Sequence, residues 1–254
     1  MKNMLLIFAV MNFIISNAQL KTIAYADENQ KLEGFLVKPI KKNDKKAAVL
    51  LLPAWMGIDN NAKINAIALA KLGYTTFVAD IYGIDKRPAN TSEAGKLAGF
   101  YKTNHATYQK RIQLALDQLI KSGVNRNKIA IIGYCFGGTG AVEAARANLK
   151  VKGIVSFHGG LGRDIARIIA PINPKVLILH GADDFYVPET EIKLFQDEMR
   201  TAKADWQMVY YANAVHGFTH VDAGNDNKKG LAYNEKAATR SWKAMLTFFD
   251  EIFK

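Results

Sequence analysis

The stretch that most limits what this chain can become is Lys128-Ile-Ala-Ile-Ile-Gly-Tyr-Cys-Phe-Gly-Gly138. A β-branched, apolar run closed by glycine reads as a buried strand, and the segment from Gly138 to about residue 149 reads as a helix. Between them lies Gly133-x-Cys135-x-Gly137, a sharp strand-to-helix turn that lifts one nucleophilic side chain clear of a sheet. The flanking glycines are a matter of space, since a side chain on either would collide with the neighbouring strand and helix. The helix points its N-terminal amides at the sulfur, which favours both a thiolate and an oxyanion forming beside it.

The rest of the chain supplies matching units. Residues 21–26 and 31–38 alternate as two strands around a turn at 27–30, and apolar strands are predicted at 47–53, 74–80, 151–157, 175–180 and 206–211. Helical periodicity covers 60–72, 91–101, 104–121, 189–199 and 231–253. Strands alternating with helices imply a mostly parallel central sheet with helices on both faces, an α/β fold. The 254 residues are 49% hydrophobic and 22% charged, enough for one buried core, and no repeat or composition break divides them. Residues 19–254 are therefore expected to form a single domain.

The first residues stand apart. A basic start, an apolar run over residues 4–15 and the small-x-small pattern Ser16-Asn-Ala18 predict a signal peptide cleaved after Ala18, and hence a secreted or periplasmic protein without stable membrane association. Export makes the cysteine count informative. Oxidising compartments use cysteines in pairs, yet Cys135 is the sole one, so it is either a buried filler or a nucleophile. Its place in the turn favours the nucleophile. The net charge of +11, part of it in residues 38–46, reads as solvated surface, with attraction of acidic substrates as the sharper reading. Nothing resembling a nucleic-acid motif accompanies it.

A thiol nucleophile needs a base within hydrogen-bond reach and an acid to orient that base. After the strand at 175–180, the turn Gly181-Ala-Asp-Asp-Phe-Tyr-Val-Pro188 offers Asp184 as the acid, with Asp183 in reserve. Ala212-Asn-Ala-Val-His-Gly-Phe218 follows the last strand and offers His216 as the base. His158 and His180 end strands and belong near the same crevice, while His105 begins a helix at the surface. His220, four residues after His216, invites a metal reading that no further ligand pattern completes. Neither a metal nor another cofactor is called for. Backbone amides of Phe136 and Trp55 are the candidates for an oxyanion hole, and Trp55, Met56 and Tyr82 are candidates for an apolar wall.

These residues resemble the dienelactone hydrolase family of the α/β-hydrolase fold. The resemblance rests on Gly133-Tyr-Cys-Phe-Gly137, Asp184-Phe-Tyr-Val-Pro188 and His216-Gly-Phe218, with Leu52-Pro-Ala-Trp-Met-Gly57 and Asp80-Ile-Tyr-Gly83 as weaker landmarks. It implies a Cys-Asp-His triad of Cys135, Asp184 and His216 acting on an ester or lactone through an acyl-enzyme. Two departures stand out. The family's Glu that holds the resting thiol corresponds to Ala54, and the two arginines that bind the substrate carboxylate correspond to Ile84 and His220, with Arg87 near the first. Tyr82, Arg87, His158 and His220 are the expected substrate-binding residues. The expected function is hydrolysis of a small, possibly anionic ester or lactone by a monomer or weak dimer. The alternatives are a carbohydrate acetyl esterase, a peptidase-like relative, or a hydrolase fold that only binds its ligand.

Overall fold

Every side chain of β3 (Ala48–Leu52) and β5 (Ile129–Tyr134) is buried. Successive residues of a strand point to opposite faces, so strands like these need cover on both sides. In a computed structural model describing residues 20–39 and 47–254 they have it. Leu50, Leu52, Ile129 and Ile131 pack toward α2 (Thr91–Thr103), α3 (His105–Lys121), α4 (Phe136–Arg146) and α5 (Glu189–Thr201). Val49, Leu51, Ala130 and Ile132 pack toward α1 (Asn60–Lys71) and α6 (Glu235–Ile252).

The remaining strands are β1 (Leu20–Asp27), β2 (Gln30–Val37), β4 (Thr75–Val78), β6 (Gly153–Phe157), β7 (Lys175–Gly181) and β8 (Trp206–Tyr211). They form an eight-stranded sheet in the order β1-β2-β4-β3-β5-β6-β7-β8. The β1–β2 hairpin and the β2–β4 pair are antiparallel, and every later pairing is parallel. This is the arrangement of an α/β-hydrolase. Because β3, β5, β6, β7 and β8 run the same way, the loops leaving them gather at one edge, where open α/β sheets bind ligands.

Two helices differ from the periodicity. α4 starts at Phe136 rather than Gly138, because Cys135 itself is the cap and the glycines lie inside the first turn. It also ends at Arg146, short of residue 149. α6 starts at Glu235 rather than at 231, because the Asn234 side chain accepts from Ala237 N–H at 3.0 Å and fixes the end. The residues before it serve another purpose, described below. The signal peptide expected at 1–18 lies outside the described residues, as does most of the basic stretch at 38–46. No helix among the described residues is long and apolar enough to cross a membrane.

The two-sided core sets a test. Leu50, with no solvent exposure, is expected to cost about 2–5 kcal/mol when replaced by Ala. Ile64, 63% exposed on α1, should cost no more than about 0.5 kcal/mol in the same substitution. Urea denaturation of both variants checks the difference.

Candidate active site

Cys135 stands between β5 and α4 with φ 54° and ψ −116°. A non-glycine residue there is strained, and its neighbours hold it. Cys135 N–H donates to Phe157 O on β6 at 3.0 Å, and Thr139 N–H donates to Cys135 O at 3.1 Å. The flanking glycines answer to close approach. A Cβ on Gly133 would fall on the carbonyl of Gly137, and one on Gly137 would fall on the carbonyl of Leu52. The turn leaves the thiol half-buried and facing a cleft of about 620 Å³.

The candidate acid and base arrive on loops laced together. Ala182 N–H donates to Tyr211 O at 2.9 Å and Asp183 N–H to Ala214 O at 3.0 Å, tying the turn after β7 to the segment after β8. Asp184 is buried, with Oδ1 accepting from Tyr186 N–H at 3.1 Å and Oδ2 accepting from His216 Nδ1 at 2.9 Å. Asp183 is exposed, so Asp184 is the one that meets the histidine. His216 Nε2 then lies 3.0 Å from Cys135 Sγ. Residues 231 and 232, which the periodicity had put in a helix, brace this loop instead: Leu231 bridges His216, and Ala232 N–H donates to His216 O at 3.2 Å.

This geometry sets the charges. Burial pushes the Cys135 thiol up, but the hydrogen bond from His216, its positive charge, the Lys102 ammonium and the Phe136 N–H together hold it below the ordinary thiol value. Burial likewise works against charge on His216, and the Asp184 carboxylate and Cys135 outweigh it, raising the imidazole above its usual range. Both directions favour the same pairing, a thiolate beside an imidazolium. Ala54 lines the same cleft and offers only a methyl group, so it does not compete for the sulfur.

Phe136 and Trp55 belong to segments locked through one side chain. Tyr82 donates its hydroxyl to Trp55 O at 2.8 Å and stacks on the Phe136 ring at 5.5 Å. Tyr108 also stacks on Phe136 at 4.6 Å, with an interplanar angle of 4°, and donates to Phe136 O at 2.9 Å. Gly57, at φ 82°, closes the Trp55 loop with a bond from its N–H to Ala54 O at 2.9 Å.

The other expected site residues divide. Trp55 and His220 line the cleft. Asn61 Nδ2 donates to His220 Nδ1 at 3.1 Å, and burial lowers the pKa of that imidazole, leaving a neutral ring where the family resemblance implies an arginine. Tyr82 is a buried support behind Phe136 rather than a cleft wall. His158 is fully buried, with Nε2 2.7 Å from Thr219 Oγ1 and its ring edge-on to His216 at 5.3 Å, so it backs His216 without reaching the cleft. Arg87 is turned away from the cleft: its guanidinium is held by Asp80 Oδ2 at 3.2 Å, Glu33 O at 3.2 Å and Glu33 Oε1 at 3.4 Å. Ile84 is partly exposed in a short turn outside it. Tyr108, Asn61 and Thr219 escaped the sequence reading because their contacts reach 28, 159 and 61 residues along the chain. Among the described residues no group of three or more His, Cys, Asp or Glu converges as a metal site.

The chain matches the sequence profile of the Dienelactone hydrolase family over residues 32–253. A solved structure described as a dienelactone hydrolase-like promiscuous phosphotriesterase from metagenomic libraries is 36% identical, with a TM-score of 0.87, covering 94% of this chain and 100% of that one. Among curated relatives, a carboxymethylenebutenolidase homolog of Xenopus tropicalis is 25% identical, covering 81% of this chain and 83% of its own. A probable 2-oxo-3-(5-oxofuran-2-ylidene)propanoate lactonase of Bradyrhizobium sp. is also 25% identical, covering 85% and 87%.

The crowded turn makes a specific demand. Gly133→Ala must push the first turn of α4 away from β5, and overpacking of this kind costs about 1–3 kcal/mol. The variant is expected to melt lower and to lose the low thiol pKa, read from thermal denaturation and from the pH dependence of alkylation.

Proposed function

Because the chain belongs to the dienelactone hydrolase family, we propose that it hydrolyses a small carboxylic ester or lactone with Cys135 as nucleophile, His216 as base and acid, and Asp184 as the group that orients His216. The observation that carries this reading is the unbroken line Asp184 Oδ2–His216 Nδ1–His216 Nε2–Cys135 Sγ, with separations of 2.9 Å and 3.0 Å. The thiolate attacks the carbonyl carbon, forming a C–S bond as the carbonyl π pair moves onto oxygen. The Phe136 and Trp55 N–H groups stabilise that oxyanion. Collapse expels the alcohol, which takes its proton from His216 Nε2. Water, deprotonated by the same nitrogen, then attacks the thioester and releases the acid and the thiolate.

Phosphotriesters are a second substrate class to test, supported by the 36% identity to a protein described as a promiscuous phosphotriesterase. Export is supported by the apolar run and the small-x-small pattern before Gln19. N-terminal sequencing of the protein made in an exporting host is expected to start at Gln19, and a start at Met1 excludes cleavage.

The wild type is expected to turn over phenyl acetate, and Cys135→Ala or His216→Ala to lower kcat/KM by at least about a thousandfold. Wild-type rates surviving in either variant exclude the mechanism. The charge pair gives a pH prediction. A lowered thiol pKa means that the thiolate is present above that value and lost as pH falls through it. The rate at which iodoacetamide alkylates Cys135 should therefore fall at lower pH than it does for an ordinary free thiol. An ordinary free-thiol titration near pH 8.5 in the wild type contradicts the pairing.

A further inference from the structure

The cleft that holds Cys135 and His216, at about 620 Å³, is the size of a small-molecule site. Three of the residues lining it are large aliphatic side chains left open to water: Ile64 is 63% exposed, Val221 69% and Leu231 41%. They come from separate parts of the fold. Ile64 lies on α1, Val221 opens a short helical turn after His220, and Leu231 precedes α6 and bridges His216. Single exposed aliphatic residues are ordinary on a protein surface, but several gathered in one concave site beside a nucleophile mark a place for an apolar ligand group. Ala54 and Trp55 extend the same lining.

The charges of the cleft point the same way. Among the described residues no Lys or Arg lines it, and its carboxylates are Asp59 and Asp222. Asp59 Oδ1 accepts from Ala62 N–H at 2.8 Å and caps α1, while Asp222 is exposed. Both favour charge on His220, yet burial outweighs them and lowers its pKa, so that ring supplies no positive charge at neutral pH. A substrate carboxylate entering here would leave water for aliphatic side chains, with no cation to meet it. A substrate cation would find a solvated carboxylate on Asp222, and ion pairs of that kind contribute little. An uncharged group suffers neither loss.

We propose that Ile64, Val221 and Leu231 are the specificity-determining residues of the site: they seat an uncharged, apolar portion of the ester, and the cleft selects against substrates that carry a carboxylate there. The inference rests on the ester-hydrolase reading above and names its substrate class. One methylene more or less against an apolar wall is worth about tenfold or more in selectivity.

The test uses two pairs of esters in which a carboxylate replaces the last methyl group of a chain. On the acyl side these are 4-nitrophenyl hexanoate and mono-4-nitrophenyl adipate; on the alcohol side, hexyl acetate and 6-acetoxyhexanoate. The exchange is remote from the reacting carbonyl, so a difference in kcat/KM reports the cleft. In at least one pair the wild type is expected to favour the methyl member by about tenfold or more. In that pair the ratio should fall at least about threefold in the double variant Ile64→Ser/Val221→Ser, through slower turnover of the methyl member. Asp222→Lys should lower it as well, through faster turnover of the carboxylate. All three positions are exposed, so these variants are expected to fold. Taking the ratio within each variant cancels any change in thiol reactivity. Ratios of one or below in both pairs, or no turnover of either pair, overturn the apolar assignment and leave the hydrolase reading intact provided phenyl acetate is hydrolysed. A ratio unchanged in the double variant does the same, as does preference for a chain ending in trimethylammonium, which would make the cleft a cation site. Absence of turnover on every ester, phenyl acetate included, overturns both readings.

Discussion

The first turn of α4 rests directly on the ends of β3 and β5, so closely that neither Gly133 nor Gly137 has room for a side chain. Much else depends on that contact. It forces Cys135 into a conformation that a non-glycine residue adopts only when its surroundings hold it. It also brings the N-terminal amides of α4 up to the sulfur, and it sets Phe136 where Tyr82 and Tyr108 can clamp its ring. A looser helix would leave a cysteine at the end of a strand and nothing to activate it.

Electrostatics completes what packing begins. Burial alone would keep the thiol protonated and the imidazole neutral, and each charge is stable only because the other is within hydrogen-bond distance. Asp184 anchors the pair from a buried position. Ala54 matters here for what it cannot do, since a carboxylate at that place would offer the thiol a competing partner. The neighbouring histidines are kept neutral by burial, His158 well below the ordinary range and His180 and His220 below it. Of the histidines at the site, His216 alone is raised toward the imidazolium.

The cleft containing Cys135 and His216 has Trp55 in its wall, and its neutral His220 stands where the family resemblance implies an arginine. Arg87, the cation that the sequence offered as a substitute, is already bound to the buried Asp80 and holds a turn together. A cation read from sequence is available to a substrate only if no nearer carboxylate has taken it.

Local rules were enough for the sheet and for picking out the three side chains that meet at the cleft. Side-chain alternation, the glycines of the turn and the order nucleophile, acid, histidine are properties of short segments, and they led to Cys135, Asp184 and His216 from the sequence alone. Helix ends were legible only where a cap announced itself, so residues 231–234 passed for helix while they braced the His216 loop. Whatever depended on distant partners was decided by the tertiary structure: Tyr82 as a clamp, Arg87 turned away, Asn61 on His220. The physical reason is the same throughout. A segment's sequence limits its own backbone and which of its faces is apolar, but a polar side chain takes its role from the partners that folding brings within about 3 Å.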